Sequence, residues 1–292
     1  QEKAPSIVRV LDMSAAELHY MRAIYDKDAE LMPQFAKRLH YEYAKVWNNA
    51  IMDKCLREVK ASQYFLTPSA FVRRSLRYTG VKDAQMLTCP YGVDISEFSC
   101  KAYPKCHNSA PLKFVYVGGV KELKGISYLL EAFMQIPREQ AELTVIGDFK
   151  AEDCDIKRYL NRVHFTGMVL HSEVSLRLRE SDVFVFTSLG DSFALAALEA
   201  AASGLPLIIS ENTGLSDYIQ EGREGFIIPI QDVDAIVQKV KWFCKHRDRI
   251  EPMGQAARKT ALQFTWESYY EQASQLVKEV VSNEKNCHFA GR

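Results

Sequence analysis

Two carboxylates eight positions apart, Asp191 and Glu199, stand in the segment from Thr187 to Ser210, TSLGDSFALAALEAAASGLPLIIS. A β-rich run ends there and a small polar loop follows. A helix is then expected to start near Phe193 and stop at Gly204, with Pro206 just beyond. The first turn of such a helix leaves backbone N–H groups without partners, and together with the helix dipole they favour an anion. Beside Ser188, Gly190 and Ser192, a diphosphate fits that description. Asp191 in the loop and Glu199 about two turns later would bracket a nucleotide sugar, one meeting a sugar hydroxyl and the other a ribose. Asp191 suits a plain helix cap almost equally well, since acidic side chains accept hydrogen bonds from first-turn amides. Glu199 is flanked by Ala196, Ala197, Leu198, Ala200, Ala201 and Ala202, the surroundings of a buried helix, where an unpaired charge is costly.

A second segment, YVGGVKELKGISYLLEAF from Tyr116 to Phe133, has the same form. Gly118 and Gly119 close a strand, and Lys121 and Lys124 sit in the loop before an amphipathic helix, where a lysine can neutralise a diphosphate leaving group. A solvated loop cation explains the lysines as well. The seven histidines are dispersed, with His19 in a region that could line an acceptor cleft. The seven cysteines are never spaced as C-x-x-C and read as reduced thiols. Cys100, Cys106 and His107 lie close together but lack a second nearby pair to complete a tetrahedral metal site. Arg73, Arg74 and Arg77 in FVRRSLRY could touch an anionic acceptor or a membrane surface, although a solvated helix face accounts for them.

These residues must be held by something, and from Leu112 onward the pattern supplies it. LKFVYVGG, ELTVIGD, VHFTG, VFVFTS, PLIIS and GFIIPI alternate with helical stretches, as in a parallel, doubly wound sheet with crossover helices. Residues 1–98 differ: a long helical stretch from about Ala15 to Val59 dominates, and only IVRVL, YFLT and MLT look extended. Three short strands suggest the tail of a larger domain whose earlier strands are absent. CPYGVDISEF ends this part, the polar stretch SCKAYPKCHNSAP reads as a hinge, and FTWESYYEQASQLVKEVV closes the chain as an amphipathic helix.

With 292 residues, 47% hydrophobic and 25% charged, the chain can bury a large core. Its 37 basic residues balance its 37 acidic ones, so no overall field favours nucleic acid, and an anion must be bound locally. The apolar runs are far too short to cross a bilayer and the first segment lacks a signal-like stretch, so a cytoplasmic protein is expected, with peripheral membrane contact left open.

Taken in order, VGG-x-x-x-L-K-G, ELTVIGD, VHFTG, GDSFALAALEAAASGLP, NTGLSDYI and EGREGFIIP resemble the donor domain of the retaining glycosyltransferases of family 4. FLTPSAFVRRSL with PYGVDISEF resembles the end of that family's acceptor domain, and FTWESYYEQ its terminal crossing helix. The resemblance implies an α/β fold of the GT-B type. Its expected parts are a partial amino-terminal domain at 1–98, a hinge at 99–111, a nucleotide-sugar domain at 112–263, and a crossing helix and tail at 264–292. By position it makes Lys124 the diphosphate contact, Asp191 the first acid of the E-x₇-E motif, and Glu199 the ribose ligand. The amides of Phe193, Ala194 and Leu195 would meet the phosphates, with Gly118, Gly119 and Ser192 completing the donor site. Three positions depart from the family pattern: Asp191 replaces Glu, Gly119 stands where many members have arginine, and Ala194 replaces a common glycine.

The implied reaction moves a sugar from a UDP- or GDP-type donor to a hydroxyl acceptor, a glycan, lipid-linked or small molecule, with retention of configuration and no metal cofactor. It would serve polysaccharide or glycoconjugate biosynthesis. A phosphorylase or epimerase on the same fold and a non-catalytic nucleotide-sugar-binding module are the alternatives.

Overall fold

The computed structural model describes residues 7–44, 48–103, 110–150 and 153–290. Cys106, His107 and the middle of the polar hinge stretch lie outside them, and with them the metal reading of that cluster. The chain opens with β1 (Val10–Asp12), then α1 (Leu18–Leu31), α2 (Pro33–Ala44), α3 (Asn49–Ala61), β2 (Tyr64–Thr67), α4 (Ala70–Tyr78) and β3 (Met86–Thr88). The three expected strands form a parallel sheet in the order β1-β2-β3. The long helical stretch is three helices. Pro33 offers no N–H to continue α1 and instead starts α2, while Asn48 caps α3 by accepting from the Ile51 amide.

The second sheet contains β4 (Leu112–Val117), β5 (Ala141–Ile146), β6 (His164–Gly167), β7 (Val183–Phe186), β8 (Leu207–Ser210) and β9 (Gly225–Ile228). Its helices are α5 (Ile126–Met134), the short α6 (Cys154–Lys157), α7 (His171–Arg179), α8 (Leu195–Ala202), α9 (Val233–Lys245), α10 (Ile250–Ala261) and α11 (Trp266–Ala290). Every strand pairing is parallel, in the order β6-β5-β4-β7-β8-β9. The sheet is therefore doubly wound, as its alternating pattern requires. All residues of β7 and β8 are buried, because helices cover both faces of a parallel sheet. The connection reverses direction between β4 and β7, and in such sheets a crevice opens there, outside the carboxyl ends of the strands. The Lys124 loop follows β4 and the Asp191 loop follows β7.

The first unit is packed onto these same loops. Glu42 on α2 accepts from the amides of Glu122 and Leu123 at 3.0 and 3.1 Å. Arg38 holds Asp155 at 2.6 Å and Asp153 at 2.7 Å and donates to the Val120 carbonyl. From α1, Asp28 accepts from the Tyr128 hydroxyl at 2.7 Å and from Gln231 at 3.2 Å. Asp28 and Glu122 are both buried; burial raises both carboxyls above the usual range, and the charge of Asp28 adds to the rise of Glu122. A carboxyl raised on folding contributes stability that is full below its unfolded value and lost as pH rises through its folded one. Thermal unfolding should therefore fall from pH 5 towards pH 8, and Glu122→Gln should flatten that slope. An unchanged slope in the variant would remove the pair as its cause.

On α4, Arg73 is partly buried while Arg74 and Arg77 are exposed, as on a largely solvated helix face. Arg73 donates to Thr88 and to the Met86 carbonyl, Arg74 to Asn212, and Arg77 to Asp83. At the other end of the chain, α11 returns to the first sheet, with the Tyr269 hydroxyl donating to Asp12 at 2.9 Å and Gln272 to the Thr88 carbonyl.

Candidate active site at the switch point

Gly125 fixes how the two loops meet. It adopts φ 63°, and a Cβ there would stand 2.1 Å from the Thr187 carbonyl oxygen, so the loop after β4 lies directly on the end of β7. The Thr187 hydroxyl closes the contact by donating to the Gly125 carbonyl at 2.9 Å. Gly125→Ala combines a strained φ with a backbone collision and should destabilise the protein by more than about 1 kcal/mol. Urea unfolding of the variant at wild-type stability would show that the loops are free to separate.

Across this contact, Lys124 Nζ reaches Asp191 Oδ2 at 2.5 Å. The other oxygen, Oδ1, accepts from the amides of Phe193 at 3.2 Å and Ala194 at 2.6 Å. Asp191 is thus a helix cap and an ion-pair partner together, two readings that its sequence context leaves as alternatives. The cap also explains why α8 begins at Leu195 and not near Phe193: the two preceding amides turn to the carboxylate. Ala194 lies at φ 63°, ψ 71°, a left-handed conformation that favours glycine, in keeping with the glycine that the resemblance expects there. Beyond the cap, the amides of Leu195 and Ala196 have no hydrogen-bond partner among the described residues. They are the part of the helix end open to an anion beside Lys124.

Glu199 lies on α8, half-buried, and its carboxylate has no hydrogen-bond partner among the described residues. Burial pushes it up to about 7, with His171 drawing it down and Glu97 adding to the rise. Those two residues pair with one another at 2.9 Å. The partner expected of a buried glutamate is therefore absent within the described protein, and hydroxyl donors on a ligand would supply one.

The remaining residues divide by role. Gly118 adopts φ 152°, and a Cβ there would press on the Tyr116 hydroxyl, which donates to the Gly119 carbonyl. Gly119 has no such restriction; a Cβ would meet only the flexible Lys121 side chain at 3.3 Å. The Ser192 carbonyl accepts from Ser69 on the first unit. Phe193 is buried, its ring packed against Tyr91, Tyr218 and Phe264, so its side chain supports the loop from below. His19 joins Glu17 at the start of α1.

Several site neighbours gave no sequence signal. Met21 of α1 closes over Gly190, where a Cβ would lie 2.3 Å from the Met21 methyl carbon. Tyr25 is buried near Asp191, whose charge adds to the rise of the phenol. These contacts join positions more than 160 residues apart, and only Gly190 itself, a small residue in a loop, hinted at a close approach.

The sequence matches the family described as glycosyl transferases group 1 over residues 104–260, more than half of its length. The chain belongs to this family. Among its relatives, the sulfoquinovosyl transferase SQD2 of Arabidopsis thaliana is 29% identical over 220 residues, covering 71% of this chain and 42% of that protein. The N-acetyl-alpha-D-glucosaminyl L-malate synthase of Bacillus anthracis is 27% identical over 178 residues, covering 59% and 46%. The chain spans about half the length of the curated relatives it matches. Of solved structures, sucrose-phosphate synthase from Thermosynechococcus elongatus aligns with TM-score 0.69 at 23% identity, over 81% of this chain and 63% of that one. Anabaena HepE, determined with UDP-glucose, aligns with TM-score 0.67 at 16% identity, over 81% and 69%. These likenesses speak for the fold, an α/β architecture of the GT-B type, as expected from the ordered motifs. Among the described residues no helix is long and apolar enough to cross a membrane.

Proposed function

We propose that this glycosyl transferases group 1 chain binds a nucleoside-diphosphate sugar at the β4/β7 switch point and transfers the sugar to an acceptor hydroxyl with retention of configuration. The observation that carries the reading is the placement of Lys124 against Asp191 at the start of α8, beside open amides and with unpartnered Glu199 on the same helix. HepE, solved in complex with UDP-glucose, supports a UDP-type donor; a GDP-type donor is the other candidate.

In this reading the diphosphate lies over the Leu195 and Ala196 amides and draws Lys124 to itself. The incoming anion competes with the Asp191 carboxylate for the same cation, so Asp191 is released towards the sugar as the donor binds. As the bond from the anomeric carbon to the diphosphate oxygen breaks, Lys124 and the helix end stabilise the developing charge. The acceptor oxygen forms its bond on the face that the diphosphate leaves, and its proton passes to the departing phosphate oxygen. Glu199 holds the ribose hydroxyls throughout. Asp191 is one methylene shorter than the family's glutamate, so Asp191→Asn should change which sugar is accepted more than how tightly nucleotide binds.

Because fixed amides and a lysine supply the positive potential, the affinity for nucleoside diphosphate should be unchanged by chelation. Calorimetric titration of UDP and GDP with and without EDTA tests this. Binding abolished by EDTA would overturn the metal-free site, and binding of neither nucleotide would overturn the donor reading itself.

A further inference from the structure

The far end of the same sheet carries a second concentration of charge. At the amino-terminal edges of β4, β5 and β6 lies a cavity of about 510 Å³, a size suited to a small metabolite. It opens near Lys113 at the start of β4, Glu142 at the start of β5 and His164 at the start of β6, with Arg138 and Arg162 from the segments before β5 and β6. β4 runs six residues from Lys113's end to the loop of Lys124, roughly 20 Å at about 3.3 Å per residue, so the cavity is separate from the donor site.

The chain as a whole is neutral, but this cavity sets Lys113, Arg138, Arg162 and Arg177 against the carboxylates of Glu142 and Glu180, an excess of positive charge. Lys113, Arg138 and Arg162 form no ion pair among the described residues, whereas Arg177, also at the rim, is answered by Glu173 at 2.9 Å. Glu142 and Glu139 stand near Arg162 without bonding to it. The balance still falls against the cation, since burial and the neighbouring Arg138 lower Arg162 below the ordinary arginine value. The two guanidiniums are aimed. Arg162 Nη2 donates to the carbonyls of Ile136 at 2.9 Å and Ala141 at 3.0 Å, and Arg138 donates to the Asn161 carbonyl. Each fork is fixed by one nitrogen, with its other donors left for a ligand. Two oriented guanidiniums and a lysine match the oxygens of a phosphate dianion. Around them, Thr144 offers a hydroxyl, the Ser181 hydroxyl donates to the Arg177 carbonyl and keeps its oxygen as an acceptor, and Leu160 and Leu143 provide an apolar wall.

We propose that this cavity is a binding site for a phosphorylated small molecule of sugar-phosphate size, distinct from the donor site. The phosphate sits between Arg138, Arg162 and Lys113, and the hydroxylated body lies over Leu160 towards Thr144 and Ser181. The site stands whether or not the donor reading holds, because it shares no residue with it.

The test titrates glucose 6-phosphate, inorganic phosphate and glucose into the protein and three variants by calorimetry, with thermal unfolding as a check of folding. Glucose 6-phosphate should bind the wild type and Lys124→Ala alike. Binding should weaken at least tenfold in the double variant Lys113→Gln/Arg138→Gln, whose side chains are exposed, and in Arg162→Lys, which keeps the charge but loses the fork. Inorganic phosphate should bind more weakly than the ester, and glucose should not bind. Loss of glucose 6-phosphate binding in Lys124→Ala with retention in the double variant would place the ester at the donor site and overturn the proposal. Absence of binding at millimolar concentration, or phosphate binding as tightly as the ester, would overturn it too.

Discussion

Lys124→Ala should lower turnover by roughly 10² to 10³, as when one preorganised donor to a developing charge is removed, while nucleotide affinity falls only modestly. The open amides of Leu195 and Ala196 still meet the diphosphate in the variant, so ground-state binding keeps its main contact. What disappears is the one lysine that the loop contact at Gly125 brings against Asp191. The arginine that accompanies this lysine in many family members is Gly119 here, and Gly119 has ordinary φ and only a flexible lysine beside its missing Cβ. Gly119→Arg should therefore fold normally and return part of the lost rate when added to Lys124→Ala. The measurement is release of nucleoside diphosphate from UDP-glucose and a GDP-sugar with a fixed acceptor. Wild-type turnover in Lys124→Ala would reassign that residue to a solvated loop and direct attention to Lys121.

How much of this was legible beforehand follows from the range of each interaction. The six strands of the second sheet were readable because each is a short apolar run ended by small or polar residues, and periodicity is a local property. So was Asp191 as a cap, since Phe193 and Ala194 are its own neighbours. The start of α8 was misjudged by two residues because nothing in FALAALEAAA announces that Ala194 is left-handed; only the backbone does. The contacts that seat α1 and α2 on the loops after β4 and β7 were illegible. Glu42 on the Glu122 and Leu123 amides, Arg38 on Asp153 and Asp155, and Met21 over Gly190 look like ordinary helix-surface residues until distant segments meet. Glu122 is the sharpest case: in KELKG it reads as one more loop charge, yet it is fully buried against Asp28.

Glu199→Gln should weaken nucleoside diphosphate binding by roughly ten- to a hundredfold, the loss of one charged hydrogen-bonding partner worth about 1.5 to 3 kcal/mol. The effect carries its own pH signature. Without ligand, burial pushes Glu199 up to about 7, so its carboxyl takes up a proton in the neutral range and not in the usual acidic one. Ribose hydroxyls that donate to the carboxylate favour its charged form and must lower that value on binding. The sign follows from linkage: binding expels a proton wherever the free carboxyl holds one, so affinity is full above pH 7 and declines as pH falls through about 7. In the unliganded protein the direction is opposite, because a carboxyl raised by burial stabilises the fold in its protonated form and this contribution is lost as pH climbs past the same value. A nucleotide should therefore raise the unfolding temperature more at pH 8 than at pH 6, and calorimetry at neutral pH in buffers of different ionisation enthalpy should register proton release. Glu199→Gln should bind weakly at every pH, with no proton released. A wild type whose affinity is flat between pH 6 and 8, or a Gln variant that binds like it, would remove Glu199 from the ribose and leave it a half-buried acid without a ligand to serve.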